Sequence, residues 1–452
     1  MLKRLLQFVL IIVSTSIARA QGEPLTRGQS ITSIPGNADT RDITPGPKDI
    51  GGIEGPYGSW LVIGIGCGIL YDDNYSSTNI SRHPDFHYSV NPIIDWQQNR
   101  NRLTFALQYS PGLNISQHLH NRDVLAQAAG LKLKYKLFRH LSLGLHDDFR
   151  VTSDPFEITN IPASTPRPLI GSTQILITPL ARRTTMLGGL DATYQLNPWS
   201  SVSLSGGFSQ THFGNARGSN SPINQLINSR SVNGRTFYIR RISRRHSIGG
   251  EYDFLDLRFK RGHDARTLTH SFFYFHQVLL TPKMTLAVYG GPEFTRTQDQ
   301  LALNFLGLVI DIPVAKRGVS GAGGLVFDYK GDRTSARLSA SRRVGEGGGL
   351  LGSVTASTVA LNLSRNLTSL WTGSLDASAD DARILNVVGS RARIANLSSG
   401  VSFSGKLSED FSLLLSYSHV HQKHGGVLFG VAADHNRASI SLDYHFTHTL
   451  GR

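Results

Sequence analysis

Apolar and polar residues alternate along most of this chain from Trp60 onward, in segments of about ten residues. In residues 86–97 the even-numbered positions are mostly apolar or aromatic, whereas the odd-numbered positions are mostly polar. Residues 439–446, near the C-terminus, repeat this pattern. Because successive side chains of a strand point to opposite faces, a period of two predicts β-strands with one apolar and one polar face.

The connections between these segments alternate in length. The short connections are tight, charged or proline-containing, and they fall at 98–102, 138–140, 197–200, 243–245, 281–283, 330–333, 366–369 and 408–410. The long connections are rich in Asn, Ser, Gly and Pro, and examples fall at 72–85, 152–183, 211–230, 295–317 and 419–435. Short turns at one rim and long loops at the other are typical of outer-membrane barrels, and this count predicts about 18 strands.

The alternation therefore predicts an all-β fold, a transmembrane antiparallel up-and-down β-barrel. A strand in lipid must pair on both edges because lipid offers no hydrogen bonds, so the sheet has to close. Aromatic residues at the strand ends match the bilayer interfaces, and about 18 strands enclose a water-filled lumen. The alternative is a secreted soluble β-protein that buries its apolar face against a second sheet.

The N-terminal region differs in character from the alternating segments. Residues 1–20 have a basic start, an apolar stretch and an Ala18-Arg19-Ala20 end, as in a signal peptide. Residues 21–58 are rich in Pro, Gly and Ser, which predicts a flexible periplasmic extension. The barrel is expected over 59–446, followed by a short C-terminal tail at 447–452.

Composition narrows the function classes. The chain has 452 residues with 46 Lys and Arg against 32 Asp and Glu, a formal net charge of +14. The basic residues are spread out, so we expect no nucleic-acid partner. The single cysteine, Cys67, shares the apolar face of the first strand, where we expect a buried thiol. His83 and His87 have the spacing of a helical metal pair, but Pro84 argues against a helix. We predict no catalytic residues, metal or cofactor, and therefore not an enzyme.

Charged residues on the polar faces are the candidates for a pore lining. Lys132, Lys134 and Lys136 share one face of a strand whose other face is apolar. One interpretation is a ladder that attracts anions within a low-dielectric wall, and the other is simple solvation of that wall. The remaining candidates are Arg150 and Arg337, which would join the basic wall, and Asp95, Glu251 and Asp253, which would form an opposing acidic wall of a constriction.

Several features resemble one family. They are the signal peptide, the Pro-rich lead, the first strand ending in Tyr71-Asp72-Asp73-Asn74-Tyr75, and two-strand units with turns such as Arg139-His140 before Leu141-Ser142-Leu143. Together they resemble the outer-membrane β-barrel porins of Gram-negative bacteria, some of which accompany exopolysaccharide export systems. The resemblance spans Gly58 to Phe446. One departure is that such barrels end on an aromatic residue, whereas six residues follow Phe446 here.

This resemblance implies a protein of the cell outer membrane with a polar, net-basic pore for hydrophilic solutes. Saccharide or exopolysaccharide export is the narrower expectation. Its partners would be outer-membrane lipids, the barrel-assembly machinery and a polar or anionic solute, and the oligomeric state is left open. The alternative function is a non-conducting surface barrel whose long extracellular loops bind a ligand or another protein.

Overall fold

A computed structural model of the protein describes ten stretches of the chain. These are residues 58–74, 82–117, 124–153, 181–214, 226–261, 263–305, 308–349, 351–385, 393–425 and 433–450. The predicted signal peptide lies outside the described residues, as does the predicted extension apart from its last residue. Within these stretches, no helix is long and apolar enough to cross a membrane.

The described residues form one antiparallel sheet of 18 strands. The strands are β1 (Gly58–Asp72), β2 (Asp85–Asn99), β3 (Leu103–Ser116), β4 (Val124–Lys136), β5 (Leu141–Thr152), β6 (Arg183–Asn197), β7 (Ser200–Phe213), β8 (Asn228–Arg241), β9 (His246–Arg261), β10 (His263–Thr281), β11 (Met284–Phe305), β12 (Leu308–Lys330), β13 (Thr334–Gly347), β14 (Leu351–Asn366), β15 (Trp371–Ile384), β16 (Arg393–Lys406), β17 (Phe411–Gly425) and β18 (Ala433–Thr449).

Each strand pairs with the next along the chain, and the first strand also pairs with the last. Gly58 on β1 lies opposite Asn99 on β2, while Trp60 lies opposite Thr449 on β18. The sheet therefore closes into an up-and-down barrel, as the alternation predicts. All eight predicted short turns join neighbouring strands at one rim, called here the turn end, and the opposite rim is the loop end.

The side chains follow the predicted two-face pattern. On β2, Tyr88 and Ile94 face outward and are 42% and 47% exposed, whereas Asp95 faces the lumen and is 8% exposed. Outward-facing Leu, Ile, Val and aromatic side chains recur around the barrel, including Leu190 and Tyr274. Such a surface is costly in water and favourable in lipid.

Two boundaries differ from the sequence-based expectation. The predicted long connection at 295–317 is instead mostly strand, because β11 and β12 continue as a long paired hairpin to Phe305 and Leu308. The sequence-based expectation of about ten residues per strand misses this extension, because β11 and β12 are 22 and 23 residues long. At the C-terminus, β18 includes residues 447–449 of the expected tail, because they pair with β1.

Hydroxyl side chains shape several of the short turns. Ser243, Thr368 and Ser408 each accept a hydrogen bond from the backbone amide three residues later, at 3.0 to 3.1 Å. These contacts satisfy amides that leave the sheet ladder, which explains why Ser and Thr occur there. At the neighbouring turns, Lys283 donates to Asp332 at 2.9 Å, and this hydrogen bond raises the pKa of Lys283.

The motif at the end of the first strand closes the barrel at the loop end. Asn74 donates its backbone amide to Asp72 at 2.9 Å, and Asp73 accepts both the backbone amide and the side-chain amide of Asn436 at 2.7 and 2.6 Å. His435 Nδ1 lies 3.0 Å from Asp72 Oδ1. Asp72, Asp73 and Asn74, in the segment that carries the family resemblance, therefore join β1 to β18 by polar contacts. These contacts are called here the clasp.

Candidate pore and its constriction

All eight predicted pore-lining residues lie on the inner face of the barrel. Their orientation follows from the strand register, in which residues opposite one another share a face. Asp95 is paired with Gln108, which is paired with Gly130, so the even-numbered positions of β4 face the lumen. The inner-face set is Lys132, Lys134, Lys136, Asp95, Arg150, Glu251, Asp253 and Arg337.

The lysine ladder and Asp95 belong to the same wall. Lys132 lies two strands from Asp95 and interacts with it electrostatically. Gln97 donates its side-chain amide to Asp95 Oδ2 at 2.7 Å, which holds the carboxylate in place. The expectation that Asp95 opposes the ladder across a constriction is therefore wrong, because the two strands that carry them are near neighbours in the sheet.

The two basic residues expected to join the ladder have acidic neighbours of their own. Arg150 lies 3.7 Å from Asp148 on the same strand. Arg337 donates to Asp328, directly opposite on β12, at 2.6 Å. These contacts compensate much of the positive charge of Arg150 and Arg337 locally.

Glu251 and Asp253 meet a buried arginine that sequence reasoning did not single out. Arg235 on β8 forms an ion pair with Glu251, and its Nε lies 3.4 Å from Asp253 Oδ1. The side chains of Arg235 and Glu251 are 8% and 1% exposed. Reflection about the predicted turn at 243–245 places Arg235 opposite Asp253. The hairpin register is therefore the sequence signal that predicts this contact.

A second arginine reaches the same carboxylates from a distant strand. Arg343 on β13 lies 3.2 Å from Glu251 and 2.8 Å from Asp253, both on β9. Four strand spacings separate β9 from β13 along the wall, about 19 Å. An arginine side chain cannot bridge that length, so β13 must leave the wall and cross the lumen.

The rings of two intervening strands lie beneath this crossing. The guanidinium of Arg343 is 4.6 Å from the ring centroid of Phe273 on β10 and 5.4 Å from that of Tyr289 on β11. Both rings are buried and pack edge to face with their centroids 5.7 Å apart. Cation–π contacts thus add to the ion pairs that hold Arg343 against the inner wall.

The end of the β13–β14 hairpin bends into the lumen while its β14 edge stays paired with β15, and its residues 343–349 and 352–356 are called here the infolded tip. Besides those of Arg343, five polar contacts dock it on the inner face of β7–β11. These are Val344 N to Glu293 at 3.4 Å, Ser209 and Ser229 to Glu346 at 3.2 and 3.0 Å, Ser353 to Thr267 at 2.7 Å, and Ile227 N to Gly349 O at 2.8 Å.

Apolar side chains pack around the tip at the loop end. Val354 of the tip and Ile394 of β16 are fully buried and share a cluster with Phe213 and Leu226, which lie on or next to β7 and β8. On the other face of the tip, Val344 is 7% exposed. A strand segment buried on both faces inside a barrel occupies part of the lumen, here beside β7–β11.

The histidines considered for metal binding have other contacts. His87 faces the lumen, and its Nδ1 lies 3.1 Å from the hydroxyl of Ser116. Within the described stretches, no group of three or more His, Cys, Asp or Glu side chains is arranged to hold a metal ion.

No family model matches the chain, and no curated protein matches it. The ferric citrate transporter FecA in its unliganded form matches with a TM-score of 0.43 and 12% identity over 80% of this chain and 60% of the transporter, less than two thirds of its length.

Two further solved structures show the same level of similarity. The ferric-catecholate import receptor Fiu from E. coli K12 has a TM-score of 0.46 and 8% identity, over 87% of this chain and 82% of the receptor. Pseudomonas aeruginosa OpdO has a TM-score of 0.43 and 11% identity, over 86% of this chain and 97% of its own. At these scores the similarities carry no information about the solute.

Proposed function

We propose that this protein is an outer-membrane channel for the passage of hydrophilic solutes. The observation that carries the proposal is the closed 18-stranded barrel with an apolar outer face and a charged, hydroxyl-rich inner face. The outer face matches lipid, and the inner face replaces it with groups that water and polar solutes can bind. Passage through such a channel requires no covalent step.

The inner wall favours two kinds of solute. The ladder of Lys132, Lys134 and Lys136 would raise the local concentration of anions. Hydroxyl and amide groups lie on the inner faces of β14–β16, among them Thr358, Ser378, Asn396 and Ser402, beside the carboxylates Asp376 and Asp380. All four are buried in this structure and would exchange hydrogen bonds with sugar hydroxyls only when the lumen opens; on that condition saccharides are candidate solutes, with exopolysaccharide as a narrower case.

The same proposal implies which molecules would surround the protein. The outer face would contact outer-membrane lipids, and the barrel-assembly machinery would insert the chain. Anionic or saccharide solutes would be its small-molecule partners, and the outer face leaves room for an oligomer.

One observation favours a second function. The infolded tip fills part of the lumen, and a barrel that stays closed would act as a non-conducting surface protein whose long loops bind a ligand. The two proposals differ in a measurable property, because only the channel conducts ions after reconstitution.

The test begins with outer-membrane fractionation and with gel mobility before and after boiling. We expect a membrane-bound band whose mobility changes on heating. Purified protein in planar bilayers should then produce stepwise conductance, and proteoliposomes should swell in isotonic sugars, with boiled protein as the control. A correctly folded barrel that neither conducts nor admits sugars would overturn the channel and leave the surface barrel.

A further inference from the structure

The infolded tip has an alternative place in the barrel wall. In the described residues, backbone pairing between β12 and β13 ends at Gly323 and Arg342. Above that point, residues 314–322 of β12 remain paired with β11 alone, while β13 turns into the lumen. Residues 315–319 are exposed on both faces. The wall therefore has a free strand edge beside the segment that left it.

The lower part of this free edge lies at the level of the apolar outer band. Val319 faces outward opposite Phe294, which is also exposed, and the next outward pair toward the loop end is Arg317 with Arg296. Residues 319–322 therefore lie on the apolar side of these charges. Backbone groups left unpaired in lipid are costly, so this edge favours any conformation that restores its partner.

The infolded tip can make contacts both in the lumen and beside the free edge of β12. In the lumen the tip keeps its pairing with β15 on one edge, and on the other edge side-chain contacts, chiefly those of Arg343 and Glu346, take the place of a backbone ladder with β12. If the pairing of Gly323 with Arg342 continued upward, Val344 would lie opposite Gly321 and face outward. A Cβ atom at Gly321 would meet nothing within 4 Å, so this place is open in the present structure.

We infer that the infolded tip is a gate with two positions, docked across the lumen in the closed channel and paired with the free edge of β12 in the open one. The inference rests on the proposed channel function. The closed position gains ion pairs and apolar contacts, and the open position gains backbone pairing at the level of lipid. Each set of contacts forms in only one of the two positions.

A disulfide that locks the closed position tests the gate. Thr267 and Ser353 bring their hydroxyl oxygens within 2.7 Å across the lumen, so T267C/S353C in a C67S background should oxidise readily. The matched control is T193C/S203C, whose oxygens lie 3.1 Å apart on neighbouring strands of one wall. Both proteins would be reconstituted in planar bilayers and recorded before and after dithiothreitol.

We expect the oxidised T267C/S353C protein to lose conductance and to regain it on reduction. The T193C/S203C protein should conduct equally in both states. If the oxidised T267C/S353C protein conducts as well as its reduced form, the gate is overturned while the channel stands. If no variant conducts under any condition, the proposed channel fails, and the gate fails with it.

A charge variant gives an independent readout that needs no crosslink. R343Q removes the cation that holds the tip against Glu251 and Asp253, and we expect the open probability to rise at least about tenfold, equivalent to about 1.4 kcal/mol. R393Q is the control, because Arg393 is exposed on the outer face and its partner Asp381 lies on the adjacent strand. Equal open probabilities for the two variants would contradict the gate.

The open position has its own test. In the continued register, Ser320 lies opposite Gly345, so S320C/G345C in the C67S background should trap the displaced tip on β12. We expect higher conductance from the oxidised protein than from its reduced form. Unchanged conductance despite a formed disulfide would overturn the free edge as the open position.

Discussion

Arg437 on the last strand and Asp72 at the end of the first strand form a buried ion pair, with guanidinium Nε 3.2 Å from carboxylate Oδ2. Their side chains are only 3% and 2% exposed. The strands that close the barrel are therefore joined at the loop end by charge as well as by backbone pairing. This arrangement gives a physical role to the segment that carries the family resemblance.

Removal of this carboxylate should destabilise the barrel. D72A takes away the anion that Arg437 and His435 both face, and breaking a buried pair from one side costs about 3–5 kcal/mol. Urea unfolding in detergent micelles, followed by tryptophan fluorescence, measures the change. The control is D332A, which removes the exposed turn pair with Lys283 and should unfold like the wild type. Equal midpoints for the two variants would contradict the role of the clasp.

A methyl group at Gly291 should also destabilise the barrel. The backbone oxygen of Phe272 occupies the position that a Cβ atom at Gly291 would take, so G291A must shift one strand against the other. Overpacking of this kind costs about 1–3 kcal/mol. G234A is the matched control, since a Cβ atom there would meet nothing within 4 Å. The same unfolding measurement compares them, and a G291A barrel as stable as G234A would refute the expectation.

The lysine ladder should set the anion preference of the channel. K132Q/K134Q/K136Q removes three positive charges from one stretch of the inner wall, and the reversal potential in a salt gradient should shift toward cation preference. The control triple, R244Q/R245Q/K283Q, removes the same charge from two short turns outside the strands. If the ladder variant shifts no more than the turn variant, the ladder only solvates the wall.

A fluorescent label on Cys67 should contact lipid and not the interior of the protein. The expectation of a buried thiol is wrong for the barrel alone, because Cys67 faces outward and is exposed. A bimane fluorophore on Cys67 should be quenched by brominated phospholipids in proteoliposomes. C67S/N91C is the control, since Asn91 lies opposite Gly66 on the inner face. Stronger quenching at position 91 than at 67 would reverse the assignment of the two faces.

Much of the barrel was predictable because the relevant signals are local. The period of two determines which side chains share a face, and a tight turn determines the register of the hairpin around it. The eight short turns, the strand number and the inner-face position of the lysine ladder follow from these two rules. Reflection about a turn also places Arg235 opposite Asp253.

Which residues meet at the constriction is determined only by the tertiary structure. Arg343 and Glu251 are 92 residues apart along the chain, and four strand spacings separate their strands around the wall. Local alternation is compatible with β13 staying beside β12 or crossing the lumen, because either path keeps the strand extended. The path is determined by contacts across the lumen. The ion pairs and apolar burial formed there compensate for the backbone pairing that β13 loses with β12. The sequence by itself therefore determined a closed barrel with two distinct faces, and only the tertiary structure decided what fills it.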